Sequence, residues 1–269
     1  MNRTHINPEL SNSTITAEPP LVNPELEGGN FFWEGGTDGI LLLHGLTATT
    51  AEVRPLAKRF HDEGFTVSAV LLPGHGTTPE KLNQTPRGEW IAVCEKAYFE
   101  LQEKCSRVIV GGESTGGILA LHLAAEHPEI KALLLFAPAM RLASSLLQTL
   151  FLIAVSPFVF AIPKKFENDP GTIPWQGYKV NPLKAGVQLL KLQYETEKRL
   201  PRIYQPILII QANLDETVDL KSGEIILRGV QSAVCESHWM EKSKHVVILD
   251  QEFEEVVSTT MKFVKKILQ

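Results

Sequence analysis

Apolar positions along the chain follow two rhythms. Gly39 to Leu43, Phe65 to Leu72, Arg107 to Gly111, Ile130 to Phe136 and Pro206 to Gln211 are short runs dominated by Val, Ile and Leu. Apolar runs of this length predict strands buried on both faces, as in a parallel sheet. Between them the apolar residues recur every three or four positions. Val53, Leu56, Ala57 and Phe60 form one such stripe within 51–63, and Trp90, Val93, Ala97 and Leu101 another within 85–104. That spacing puts them on one helix face. Phe31 to Gly36 reads as a short edge strand, Gly117 to Glu126 as a helix, and Gly64 as a helix stop. Near the C-terminus the rhythm continues with a helix over 220–230, a strand over 234–239 and a closing helix over 252–268. Strands alternating with helices predict an α/β fold, a mostly parallel sheet covered on both faces.

The alternation breaks after the run ending near Phe136. From there to Pro206 no stretch reads convincingly as a strand. Leu146 to Ile162 carries no charged residue and predicts a buried or cleft-lining helix pair. Gln148, Thr149, Ser156 and Pro157 interrupt it, and it is short for a membrane span, so no stable membrane insertion is expected. A further helix is predicted over 182–198. An insertion at the C-terminal end of a strand lies over the sheet edge where ligands bind, so 143–202 reads as a small helical cap. The remaining division is an extended arm over 1–30, rich in Asn, Pro, Thr and Glu, and a core made of 31–142 and 203–269. Leu146, Leu150, Phe151 and Phe158 are candidates for an apolar substrate wall, with helical core packing as the competing reading.

Composition narrows the function. The chain has 269 residues, 43% of them hydrophobic, which suits a globular α/β protein. A net charge of -5 without a basic stripe argues against nucleic acid as partner. Cys94, Cys105 and Cys235 show neither metal-ligand spacing nor a disulfide framework, so no metal site is expected. They read as free thiols in a reducing compartment. The N-terminus lacks a basic stretch followed by an apolar core, and the placement expected is cytoplasmic.

The chemistry centres on Gly112-Glu113-Ser114-Thr115-Gly116. It lies between a predicted buried strand and a predicted helix, the strand–turn–helix setting that lifts a serine hydroxyl to the end of a sheet. A serine needs a general base, and the base needs a carboxylate to orient it. On such a fold the order is serine, acid, histidine. Of the later histidines, His122 and His127 belong to the helix after the elbow, His127 at its end against the terminal carbonyls, and His238 falls in a strand. His245 sits in a polar loop between the last strand and the last helix. The acid follows the preceding strand, where Asp215 at the turn apex is preferred to Glu216, and Asp219 reads as a helix cap. An oxyanion hole needs two N–H donors. Thr115 supplies one, and Leu46 in His44-Gly45-Leu46 the other, with His44 and His75 assigned structural roles.

Leu41 to Thr47, Leu72-Pro73-Gly74-His75-Gly76, the Ser114 elbow, Gln211 to Glu216 and Ser243 to Asp250 occur in this order across nearly the whole chain beyond the arm. In these segments the chain resembles the bacterial carboxylesterase and monoacylglycerol lipase group of α/β-hydrolases. The resemblance implies a cofactor-free serine ester hydrolase with a small cap. It carries Ser114, Asp215 and His245 over as catalytic triad, and Leu46 and Thr115 as oxyanion donors. The substrate implied is a small ester with an apolar acyl part of short to medium length, acted on by a monomer or dimer. Two residues depart from the group: Glu113 stands where an apolar residue is common, and Thr115 where Leu or Met is frequent. The same triad also serves thioesterases and C–C bond hydrolases, and a binding protein on this fold is a further alternative.

Overall fold

The continuous apolar runs become the interior of one seven-stranded sheet. The computed structural model describes residues 21–164 and 170–269. In chain order the strands are β1 (Leu21–Val22), β2 (Phe31–Trp33), β3 (Asp38–Leu43), β4 (Thr66–Ala69), β5 (Arg107–Glu113), β6 (Ala132–Phe136), β7 (Ala161–Pro163), β8 (Gly177–Tyr178), β9 (Val180–Pro182), β10 (Ile207–Ala212) and β11 (Cys235–Met240). The helices are α1 (Arg54–Asp62), α2 (Pro79–Gln84), α3 (Arg87–Gln102), α4 (Thr115–Glu126), α5 (Leu146–Val155), α6 (Leu183–Glu197), α7 (Ser222–Gly229) and α8 (Phe253–Leu268). The sheet order is β11-β10-β6-β5-β3-β4-β2. Every pair in it is parallel except the antiparallel edge pair β2–β4.

Alternate residues of each central strand feed two separate cores. Leu41, Leu43, Val108, Val110, Leu133, Leu135, Ile207 and Ile209 pack with α3 and α4 on one face. Ile40, Leu42, Ile109, Leu134, Phe136, Leu208 and Ile210 pack with α1 and α8 on the other. A strand buried on both faces has no polar side to show, which is why these runs lack alternation. The strands are parallel, so their C-terminal ends share one edge, where loops of different origin meet.

Two glycines set how closely the elbow packs. A Cβ on Gly116 would stand 2.1 Å from the Leu43 carbonyl oxygen, and one on Gly112 would stand 2.3 Å from the Gly116 carbonyl carbon. Hydrogen at these positions lets α4 start directly against the ends of β3 and β5.

The structure corrects several expectations. The helix expected over 85–104 begins later, at Arg87, because Pro86 supplies the extended residue before it. A separate short helix, α2, precedes it, with the Thr78 hydroxyl accepting the Lys81 N–H at 3.2 Å. The stretch between β6 and β10 does contain strands. β8 pairs with β1 and β7 with β9, both antiparallel. They are two or three residues long, too short for a pattern to register. The buried or cleft-lining helix pair expected over 146–162 is instead one helix, α5, followed by β7, and none of the residues of α5 is buried. A capping box at its start, in which Ser145 and Gln148 exchange hydrogen bonds, helps to close its first turn. The arm expected over 1–30 lies largely outside the described residues. Within them, Leu21 and Val22 form β1, in register with Tyr178 and Gly177.

Adding one methyl group at the β3–α4 approach should be costly. Gly116→Ala is expected to lower stability by about 3 kcal/mol or more, through overpacking against backbone that has nowhere to move. Urea denaturation checks this, and a change below about 1 kcal/mol would show that the approach is slack.

Candidate active site

The elbow is a strained turn. Ser114 follows the last residue of β5 and has φ 53° and ψ -112°, a backbone region that L-residues rarely occupy. Such a conformation costs roughly 1–3 kcal/mol and persists only where the surroundings over-determine it. Here they do. Ser114 N–H donates to the Phe136 carbonyl at 2.9 Å, and its own carbonyl accepts from Gly117 at 3.1 Å and Ala139 at 3.1 Å. The hydroxyl is thereby held at the sheet edge and at the N-terminus of α4.

Loops after three different strands bring Ser114, His245 and Asp215 together. His245 Nε2 lies 2.9 Å from Ser114 Oγ, and His245 Nδ1 lies 2.8 Å from Asp215 Oδ2. Asp215 can only accept, so Nδ1 carries a hydrogen, and Nε2 is left to accept from the serine hydroxyl. The other Asp215 oxygen accepts the Thr217 and Val218 N–H groups at 2.8 and 2.9 Å. Burial alone would raise the Asp215 carboxyl. The His245 bond, the His245 charge and these two N–H groups outweigh it and hold the acid below its usual range. The histidine loop has its own brace: Glu252 accepts from Glu241 N–H, Lys242 N–H and the Ser243 hydroxyl. Leu214 N–H donates to the Ser243 carbonyl, tying the acid loop to the histidine loop.

The loop after β3 curls beside Ser114. Gly45 N–H donates to Glu52 Oε2 at 2.6 Å, and Trp175 Nε1–H donates to Glu52 Oε1 at 2.8 Å. Leu46 N–H has no acceptor among the described residues. Thr47 has φ 68°, its carbonyl accepts the Tyr178 N–H at 2.9 Å, and its hydroxyl lies 3.2 Å from Lys164 Nζ. Glu52, Trp175 and Lys164 were not among the candidates from sequence. Glu52 is the second residue of the stretch over 51–63 that reads as an ordinary helix, and an acidic residue in a first helical turn needs no further reason.

Buried ionisable groups crowd this edge. His44 Nδ1–H donates to the Gly45 carbonyl at 2.9 Å, and its Nε2 accepts the Leu72 N–H at 3.0 Å. Burial lowers its pKa to about 4, so it stays neutral and structural. His75 stacks edge-on against His44 and Trp90. Burial, then the neighbouring His44, lowers it well below the ordinary range. Glu113 is fully buried, and neither carboxyl oxygen has a hydrogen-bond partner among the described residues. Burial, then the Glu52 and Asp215 carboxylates, raise it well above the usual value and favour the neutral acid, against a weaker lowering by the Ile248 backbone.

Other candidates fall elsewhere. His127 does not serve the helix end; its ring nitrogens face Glu95 at 3.0 Å and Glu129 at 3.5 Å. Asp219 sits in the turn before α7, accepting the Lys221 N–H, and Glu216 is exposed. Leu146, Leu150, Phe151 and Phe158 are 53 to 89% exposed, so they are not packed into a core. Among the described residues no cluster of His, Cys, Asp and Glu could hold a metal ion, and no helix is long and apolar enough to cross a membrane.

The parallel sheet with its antiparallel edge strand, and the strained elbow at its centre, define the α/β-hydrolase fold. A family model described as serine aminopeptidase, S33, matches residues 37–168. A thermostable monoacylglycerol lipase of Bacillus sp. (strain H-257) is 30% identical over 244 residues, covering 90% of this chain and 97% of the relative. A carboxylesterase of Bacillus subtilis (strain 168) is 28% identical over 244 residues, covering 88% and 96%. A solved structure described under LipS and LipT, two metagenome-derived lipolytic enzymes, superimposes with a TM-score of 0.83 at 31% identity, covering 90% of this chain and 99% of that one. The chain belongs to the monoacylglycerol lipase and carboxylesterase family of α/β-hydrolases.

The buried Glu113 gives a pH signature. Its pKa is raised in the fold, so folding takes up a proton once pH exceeds the unfolded carboxyl value of about 4.3. Wild-type stability therefore falls as pH rises from there towards the raised folded value, by up to about 1.4 kcal/mol per unit. Glu113→Gln removes this dependence. The variant is expected to gain on wild type in denaturant melts as pH rises above the unfolded carboxyl value of about 4.3. Parallel profiles would show that Glu113 is ionised in the fold.

Proposed function

We propose that this chain hydrolyses carboxylic esters with short to medium acyl chains, through an acyl-enzyme formed on Ser114. The observation that carries the reading is the hydrogen-bonded series Ser114–His245–Asp215, at 2.9 and 2.8 Å, mounted on a strained elbow. His245 takes the serine proton as Oγ attacks the ester carbonyl, then delivers it to the leaving alcohol. Asp215 fixes the imidazole tautomer and stabilises the imidazolium. Leu46 and Thr115 N–H groups receive the oxyanion. Water, activated by the same histidine, then releases the acid. Family membership supports the ester class, since the relatives are named as a monoacylglycerol lipase and a carboxylesterase.

The segment over 143–202 is read as the cap that covers this edge. Its exposed apolar residues, Leu146, Leu150, Phe151 and Phe158, are suited to meet an acyl chain arriving from outside. Cys94, Cys105 and Cys235 are unpaired, which favours a reducing compartment such as the cytoplasm.

A p-nitrophenyl ester series from acetate to palmitate tests the reading. Hydrolysis is expected to peak at a short or medium acyl length. Ser114→Ala should lose on the order of 10⁶-fold in kcat. Asp215→Asn should lose about 10⁴-fold, because an amide facing Nδ1 favours the wrong tautomer. Activity at no acyl length, or activity that survives Ser114→Ala, would remove the reading.

A further inference from the structure

We propose that Glu52 is a positioning residue for the oxyanion loop, held in place by Trp175 of the inserted segment. The inference rests on the acyl-transfer reading of the Ser114 site and deepens it.

The geometry runs through two successive peptide units. Glu52 is 2% exposed, and each of its oxygens accepts one N–H: Gly45 at 2.6 Å and the Trp175 indole at 2.8 Å. The Gly45 carbonyl accepts His44 Nδ1–H at 2.9 Å and Ala48 N–H at 3.3 Å. A trans peptide is planar, so the Leu46 N–H points opposite to the Gly45 carbonyl. Fixing that carbonyl towards His44 and Ala48 aims the Leu46 N–H the other way. Fixing the Gly45 N–H on Glu52 sets the preceding peptide, and the two together determine φ and ψ of Gly45. No side chain at that residue would do this, because glycine has none to restrict it. Glu52 supplies from outside the restraint that the loop lacks.

The inserted segment grips the same loop at further points. The Thr47 carbonyl accepts from Tyr178, Ala48 bridges with Gly177, and Thr49 Oγ1 lies 2.6 Å from Gln176 Oε1. Lys164 Nζ lies 3.2 Å from Thr47 Oγ1 and 4.0 Å from the centre of the Trp175 ring. The charged and titratable groups that act on Glu52 are Lys164, His245 and the buried Glu113. Burial raises the Glu52 carboxyl above its usual range; the Gly45 and Trp175 N–H donors and the Lys164 and His245 charges oppose this only in part, so the restraint on Gly45 rests on the hydrogen-bond geometry. The position of Trp175 thus reaches the oxyanion donor through one side chain.

Glu52→Gln tests this directly. Its single acceptor oxygen can serve Gly45 or Trp175 but not both. On a p-nitrophenyl ester the variant should lose about ten- to a hundredfold in kcat, with KM within about threefold. Affinity for a trifluoromethyl ketone, which forms a tetrahedral adduct on the serine, should fall by the same factor. Trp175→Phe, which keeps Gly45 on Glu52, should lose less in the same direction. A folded Glu52→Gln variant whose kcat and ketone affinity stay within about twofold of wild type overturns the proposal, as does a loss carried by KM alone. If Glu52→Gln fails to fold, Trp175→Phe decides on the same readouts. Wild-type protein that neither hydrolyses esters nor binds the ketone would overturn the acyl-transfer reading itself, and the positioning role with it.

Discussion

The structure depends on the backbone of Ser114 being forced into a conformation that serine resists. With φ 53° and ψ -112°, the residue would relax if its neighbours allowed it. They do not, because Gly112 and Gly116 leave no space between the elbow and the ends of β3 and β5. The Phe136 carbonyl and the Ala139 N–H hold the serine from β6 and the loop after it. Strain held by a rigid core is what allows one hydroxyl to project from a sheet edge while its backbone stays buried. The two hydrophobic cores make that possible, since each strand flanking the elbow is packed on both faces.

Around this point the protein concentrates groups that are expensive to bury. Asp215, Glu52 and Glu113 lie near one another, with His44 and His75 close to the same sheet edge. They are not treated alike. Asp215 is satisfied by His245 and two N–H groups and stays ionised. Glu52 is satisfied by two N–H donors. Glu113 has no such partners and favours the neutral form. Three carboxyl groups near His245 thus sit in three different environments, and the repulsion between them falls on Glu113, the one without N–H partners.

Much of this was legible in the chain, for identifiable reasons. Strands buried on both faces produce unbroken apolar runs, so β3, β5, β6 and β10 were visible together with the serine at the end of one of them. Chain order and loop position, which the fold constrains, singled out His245 and Asp215, and the fold brings both to Ser114. The inserted segment was not legible in detail. β7, β8 and β9 are two or three residues long and take their stability from distant partners, which no local pattern records. The side chains of α5 looked like core but stand exposed, because apolar composition alone does not say what a face meets. Glu52 escaped notice because its meaning comes from Gly45 and Trp175, which the fold alone brings to it.

In the proposed mechanism His245 activates Ser114 as an acyl-group nucleophile. The most direct measurement is covalent trapping with a fluorophosphonate, followed by peptide mass mapping and the labelling rate of His245→Ala. A single adduct on Ser114, formed about a thousandfold or more slowly without the histidine, is the expected result. An adduct on another residue, or labelling of Ser114 at the same rate without His245, would contradict the account.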